Sequence, residues 1–209
     1  MSASTTPLIP NWSLTVELPD WLAIPVRPFD EAAWRDDITV VLSTIAEIDA
    51  GLAGAEGAPT PGTPLDLPAA LDNLVDFAAS LPDDRRLVAG LGVAGRWPLP
   101  VVVRVWASTG NDDDLLDAAG ARGGLPIEQP TVEYLPEELG DGIRVTRFDL
   151  DDDGAVWASV SCARRADGVD TVLLWRTTEL DLIPLFSGQL EALLENVVVN
   201  IDPGTEATE

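Results

Sequence analysis

The sequence predicts an α+β fold, in which helices pack against an antiparallel β-sheet. Three observations lead to this class: a meander of three apolar strands near the carboxyl end, an amphipathic helix directly after it, and helical patterns that alternate with strands before it. Hydrophobic residues make up 46% of the 209 residues, which is enough for one large core. We therefore expect a single α+β domain over 11–201, with disordered tails at 1–10 and 202–209.

The first strand and the first helix follow from hydrophobic periodicity. Apolar residues alternate with polar ones over 12–18, as in a half-buried strand. The first helix is predicted to follow Asp30, a residue type that caps helices, and to end at Gly51. One helical stripe between them is predicted to face the core: Trp34, Ile38, Val41, Ile45 and Ile48, with Leu42 beside it. Residues 51–65 are rich in Gly, Ala and Pro and predict a flexible loop.

The middle of the chain adds a second helix, two strands and a short third helix. Asp66 is expected to cap the second helix, and strands are predicted at 87–93 and 101–108. Asn111 begins the short helix, because the three aspartates after it complement the helix dipole. Residues 120–142 are rich in Gly, Pro and Glu and predict a surface loop. The apolar side of the second helix carries Leu71, Leu74, Val75 and Ala78.

The meander is the strongest pattern, with strands predicted at 143–149, 155–163 and 170–177. Both connectors contain Asp and end in Gly, residue types that permit the positive φ of hairpin turns. On the middle strand, Val156, Ala158, Val160 and Cys162 are expected to face the core, with Trp157, Ser159 and Ser161 on the other face. The buried side of the closing helix is predicted to carry Phe186, Leu190, Leu193, Leu194 and Val197.

This order of elements resembles that of the PsbP-like fold family, which includes the LpqN-type lipoproteins. The resemblance is carried by GIRVTRFDLDDDGAVWASVSCARRADGVDTVLLWRTTELDLIPLFSGQLEALLENVV, with a second match at WSLTVELPDW. Together the two stretches cover about a third of the chain. Unlike the lipoprotein members, the sequence shows no signal peptide and no lipobox cysteine. The resemblance implies an antiparallel sheet closed by a helix, and a role in binding proteins or assisting their assembly.

The charge of the chain limits the classes of partner that we expect. The chain has 36 Asp and Glu against 12 basic residues, all of them Arg, for a formal net charge of −24. Nucleic acids and anionic membranes are usually bound by a cationic patch, so we expect neither as a partner. We expect a protein partner, and the charge favours a cationic one. The amino-terminal residues have neither a basic region nor a continuous apolar one, which predicts a cytoplasmic protein.

The residue types present also limit the chemistry. The chain has no His and no Lys, which excludes the usual Ser-His-Asp and Cys-His nucleophiles, Schiff bases and a phosphate-binding P-loop lysine. Its single cysteine, Cys162, is predicted to be a buried structural thiol. Pairs of carboxylates are abundant, so a carboxylate-based or metal-assisted hydrolase is one alternative function.

Asp149, Asp151 and Asp153 form a motif that suggests a metal. The run DLDDDG matches the start of an EF-hand calcium loop, in which alternating carboxylates converge on the ion. Position twelve of that loop, normally Glu, is Val160 here, and the flanking segments are predicted strands rather than helices. Two interpretations are open: weak binding of Ca²⁺, and an acidic hairpin turn without a cofactor.

Tryptophan usage points to a partner surface. The chain has seven Trp against one Tyr and four Phe, and Trp and Arg dominate protein-binding hot spots. The candidate partner-binding residues on the predicted strands are Arg104, Trp106, Trp157, Trp175 and Arg176. The alternative is that helices cover these strands and the tryptophans are core. The sequence thus predicts a non-enzymatic, protein-binding or accessory and chaperone-like protein, with the hydrolase and a structural subunit of a homo-oligomer as alternatives.

Overall fold

The computed structural model describes residues 12–52, 66–136 and 139–201. Its largest element is a seven-stranded sheet in which every neighbouring pair is antiparallel. A second, two-stranded antiparallel sheet pairs the first described strand with the last one. Helices pack against the large sheet, so the α+β class predicted from the sequence is confirmed.

The helices are α1 (Glu31–Leu52), α2 (Leu67–Ser80), α3 (Asp112–Ala118) and α4 (Ile183–Asn196), the last preceded by a 3₁₀ turn at Leu180–Leu182. The strands are β1 (Trp12–Val16), β2 (Trp21–Ala23), β3 (Arg85–Gly90), β4 (Leu99–Ala107), β5 (Thr131–Tyr134), β6 (Asp141–Leu150), β7 (Val156–Ala166), β8 (Val169–Thr177) and β9 (Val197–Ile201). The order in the large sheet is β2-β3-β4-β8-β7-β6-β5. None of the described helices is long and apolar enough to cross a membrane.

The predicted meander is confirmed as β6, β7 and β8. Gly154 in the first turn and Asp167 and Gly168 in the second have positive φ, at 81°, 52° and 75°. Gly and Asp tolerate this region better than most residues, which explains why the strands end there. The turns set the register, and register decides which side chains of β7 face each side of the sheet.

The face of the sheet that contacts α4, here called the α4 face, holds the largest core. Ala158, Val160 and Cys162 point to it from β7 and are fully buried, as predicted, whereas Val156, which was predicted with them, is half-buried. The tilted Trp175 and Phe186 rings pack at 4.8 Å between centroids, which joins the sheet to the helix. The buried side of α4 consists of Phe186, Leu190, Leu193 and Leu194.

The opposite face of the sheet is covered by different helices in different places. Leu74 of α2 packs with Leu87 and Ala89 of β3. Leu115 of α3 packs with strands β4, β8, β7 and β6, in a cluster containing Trp106, Ala119, Ile143, Val145, Ala163 and Val172. Some side chains of this face that belong to β7 and β8 are in neither cluster and are half-buried or exposed.

The predicted helix starts are confirmed by their capping bonds. The side chains of Asp30, Asp66 and Asn111 accept backbone N–H bonds at 3.1, 3.2 and 3.2 Å. The predicted stripe on α1 was partly wrong: Val41 is 45% exposed and Ile48 is 56% exposed, whereas Leu42 is fully buried. Leu42 belongs to the buried core of this region, and the partly buried side chains that pack against that core from α1 are Trp34, Ile38, Ile45 and Ala46.

Other boundaries also differ from the predictions. The predicted loop 120–142 contains β5 and the beginning of β6. The strand predicted at 87–93 begins two residues earlier and ends at Gly90, and Val197 is buried but begins β9 instead of continuing α4. Most of the predicted flexible loop and both predicted tails lie outside the described residues.

Candidate partner-binding surface

An accessible strip lies on the opposite face of the sheet, where β7 and β8 run side by side. We call it the Trp157–Arg176 surface and define it by Trp157, Ser159, Leu174 and Arg176. Ser159 is directly across from Arg176 in the ladder, and the strand period of two places the other residues on the same face. Arg176 is exposed and the other three side chains are half-buried.

Trp157 and Arg176 form a stacked pair in this surface. The guanidinium carbon of Arg176 lies 5.1 Å from the centroid of the Trp157 ring, within the range of a cation–π interaction. The indole Nε1 of Trp157 donates to Oδ2 of Asp151 at 3.1 Å. These contacts on a ring face and a ring edge hold the indole in place. The surface therefore presents a pre-positioned aromatic ring with a cation above it.

Arg176 forms no ion pair with any described residue. The nearby carboxylate of Asp149 is bound instead by Arg147, whose Nη2 and Nε donate at 2.6 and 2.8 Å. That hydrogen bond is the main reason the pKa of Asp149 is lowered, and the charges of Arg147 and Arg176 lower it further. Arg176 thus keeps donors available for a partner.

Arg147 also fixes the border of the surface. Its Nη1 donates to the carbonyl oxygen of Gly123 at 2.9 Å, which holds the segment after α3 against β6. Gly124 has φ of +63°, a conformation that favours glycine, and the Arg147 guanidinium occupies the space that a side chain there would enter. The segment after α3 therefore lies directly against the Arg147 side chain.

Of the five predicted partner-binding residues, the structure brings only Trp157 and Arg176 together as accessible side chains. Trp106 and Trp175 are each 1% exposed and belong to cores on the two different faces of the sheet. Their inclusion is corrected here, because an accessible surface cannot be built from them. Arg104 is half-buried and lies over Trp106, with its Nε bonded to Asp84 at 2.8 Å.

Two of the three predicted metal ligands, Asp149 and Asp151, are engaged in hydrogen bonds within the protein. Asp149 is bound by Arg147, as described above, and Asp151 accepts the backbone N–H groups of Asp153 and Ala155 at 3.1 and 2.7 Å. These bonds, led by that from Ala155, lower the pKa of Asp151. Within the described ranges, no group of three acidic, His or Cys side chains is arranged to hold a metal. The segment forms the turn between β6 and β7, and weak binding of Ca²⁺ by it stays a prediction.

Cys162 is expected to be unreactive in the native protein. It is fully buried, and burial raises the pKa of its thiol to about 12, with a smaller contribution from Glu191. At pH 8 this lowers the thiolate fraction by about a thousandfold relative to an ordinary cysteine. Native protein should therefore react with a chromogenic disulfide much more slowly than guanidinium-unfolded protein does. The unfolded protein is the control, because its single thiol should react fully. Fast stoichiometric labelling of native protein would contradict this assignment.

A second accessible region, at the β5 edge, was missed by the sequence reasoning. Leu125 is 94% exposed, Tyr134 is 88% exposed, and Ile127 and Val132 are also exposed. The alternating TVEY between two prolines was the available signal for a strand. Its four-residue length and Gly/Pro-rich surroundings concealed it.

No protein-family model and no curated protein matches this chain. The resemblance to the PsbP-like fold family therefore stays a prediction.

Proposed function

We propose that this protein is a non-enzymatic binding protein that holds a partner protein on the Trp157–Arg176 surface. One observation carries the proposal: an exposed arginine, without an ion-pair partner among the described residues, is stacked on an indole in a protein of net charge −24. Tryptophan and arginine contribute the most to binding when a partner removes them from water. An accessory or chaperone-like role follows from holding a partner without chemistry on it.

The charges around the surface specify the partner. Arg176 has donors for one carboxylate, and the turn at 151–155 beside Trp157 carries three aspartates. A complementary partner would bring an acidic side chain to the arginine and basic side chains to the turn. The large net negative charge would steer a protein with a basic surface towards this one.

The pKa shifts of the carboxyl groups support the alternative function, a hydrolase, less well than they support binding. A carboxylic acid that donates a proton near pH 7 needs a raised pKa. In the described part of the chain, the carboxyl groups with a resolved shift are Glu31, Asp149 and Asp151, and each has a lowered pKa. These groups are held as carboxylates by hydrogen bonds, which suits structure and recognition.

Capture from the native host tests the proposal. The baits are the tagged wild type, the double variant Trp157→Ala/Arg176→Ala, and the matched control Arg27→Ala/Phe77→Ala, which removes an exposed arginine and a partly exposed aromatic side chain elsewhere. We expect one protein, identified by mass spectrometry, to co-purify stoichiometrically with the wild type and the control and to be lost from the double variant. Equal recovery on all three baits would refute this choice of surface.

A second candidate, a homo-oligomer subunit, is favoured by the free edge of β5. The backbone N–H of Leu135 donates to Gly142 at 3.0 Å, and antiparallel bonds alternate along a strand. Val132 and Tyr134 consequently direct their N–H and carbonyl groups away from β6. A second copy of this chain fits this edge, because 125–135 carries few charges and Glu133 is already paired with Arg144.

Proline substitution distinguishes edge pairing from fold damage. Val132→Pro removes an outward N–H and is expected to leave the fold intact, whereas the control Glu133→Pro removes an inward bond to β6 and should lower the melting temperature. If β5 pairs between copies, light scattering after size-exclusion chromatography will give twice 22.2 kDa for the wild type and 22.2 kDa for Val132→Pro. A wild type that is already monomeric would eliminate this candidate.

A further inference from the structure

A cavity lies at the β2 edge of the large sheet, remote in the fold from the Trp157–Arg176 surface. It has a volume of about 350 Å³ and lies between the first residues of β1, the segment after β2 and the start of β3. Its walls are mostly apolar and include Leu14, Ile24, Pro25 and Val26. Cavities that bind small molecules have this character, with a few polar groups that fix the ligand.

Arg86 is the charged residue that lines this cavity. Three of its N–H groups donate hydrogen bonds to the carbonyl oxygens of Asp83, Arg85 and Trp12, at 2.8, 2.8 and 3.0 Å. A guanidinium has five N–H donors, so two are left without an acceptor among the described residues. The backbone bonds hold the side chain in position without neutralising it, since Arg86 forms no ion pair within the described ranges.

Trp12 lines the cavity beside Arg86. Its ring is stacked with the Arg86 guanidinium, whose carbon lies 4.4 Å from the ring centroid. Trp12 is only 4% exposed, so its ring is a fixed surface against which the guanidinium is held.

We propose that this cavity binds a small monocarboxylate with an apolar body. The carboxylate would accept the remaining Arg86 N–H groups, while the apolar body would lie against Leu14, Ile24 and Val26. A single negative charge suits the site better than a polyanion, because Asp83 and Asp84 lie close to Arg86. No described residue of the cavity lining carries a competing carboxylate.

Titration calorimetry with decanoate on the full-length protein tests the proposal. We expect saturable 1:1 binding, and affinity at least about tenfold weaker for decanol, which has the same chain length without the carboxylate. In ¹H–¹⁵N spectra, the indole resonance assigned to Trp12 should shift with decanoate, because the carboxylate binds the guanidinium that is stacked on its ring. Absence of saturable binding, or equal affinity for decanol, would overturn the proposal.

Two substitutions locate the ligand. Arg86→Gln is expected to weaken the affinity for decanoate by about tenfold or more. It also removes the hydrogen bonds that Arg86 donates to backbone carbonyl oxygens. Val26→Trp keeps those bonds and fills the cavity from an exposed position, so it should abolish binding while the melting temperature stays within a few degrees of the wild type. The matched control is Val40→Trp, at an exposed position on α1, which should bind as the wild type does. Unchanged binding by Val26→Trp would refute this site.

Discussion

Replacing Arg165 with methionine is expected to lower the free energy of unfolding by about 3–5 kcal/mol. Asp170 on β8 is fully buried, and Arg165 on β7 donates to its two carboxylate oxygens at 2.8 and 3.2 Å. Arg165 also donates to Asp112 and to the carbonyl oxygen of Asn111, which ties the sheet to the start of α3. Methionine retains an unbranched side chain but leaves the Asp170 charge buried without its partner.

Guanidinium unfolding monitored by circular dichroism measures this loss. Arg122→Met is the matched control, since its ion pair with Asp113 is exposed and should have little effect on stability. The double variant Arg165→Met/Asp170→Leu removes both charges and should recover most of the loss, which shows that the effect comes from the unpaired carboxylate. A loss under about 1 kcal/mol for Arg165→Met alone would contradict the assigned role of the pair.

Removing the side chains of Trp157 and Arg176 together is expected to weaken partner binding by at least about a hundredfold. Each is the type of residue whose truncation at an interface commonly costs about 2 kcal/mol or more. Because the two side chains are stacked, the single substitutions should not be additive, and a double-mutant cycle should show coupling between them. Calorimetry with the purified partner gives these affinities.

The fold of the double variant must be preserved for that result to be informative. Arg176 is exposed and Trp157 is only half-buried, so the melting temperature should fall by a few degrees at most. The control variant Arg27→Ala/Phe77→Ala should bind the partner as the wild type does. If the control variant also lost affinity for the partner a hundredfold, or if the double variant lost none, the interface would lie elsewhere.

Local patterns were sufficient to predict most of the elements. Alternation and turn chemistry predicted the meander, and the capping residues Asp30, Asp66 and Asn111 predicted three helix starts. The orientation of α1 was predicted less well, because Val40, Val41 and Leu42 are consecutive apolar residues that together span more than half of a helical turn. Only packing against α2 and the sheet decides which of them is buried.

The candidate surface was only partly predictable for a related reason. The sequence placed Trp157 and Arg176 on strands, but the pairing register decides which face each residue occupies. Trp175 pairs with Val160 and therefore faces α4, whereas its neighbour Arg176 pairs with Ser159 on the opposite face. The cavity beside Arg86 joins segments more than 70 residues apart, so no local pattern could have revealed it.

Photo-crosslinking in the native host tests the central claim most directly, since it reports contact at a chosen residue. A photoreactive phenylalanine analogue replaces Leu174 in one strain and Phe77 in the control strain, and crosslinked products are identified by mass spectrometry. Leu174 belongs to the Trp157–Arg176 surface, and its replacement leaves the stacked pair in place. The proposed function predicts one dominant product from position 174 that is missing from position 77. The same product at both positions, or crosslinks at 77 alone, would contradict the assignment of the Trp157–Arg176 surface as the site that binds the partner.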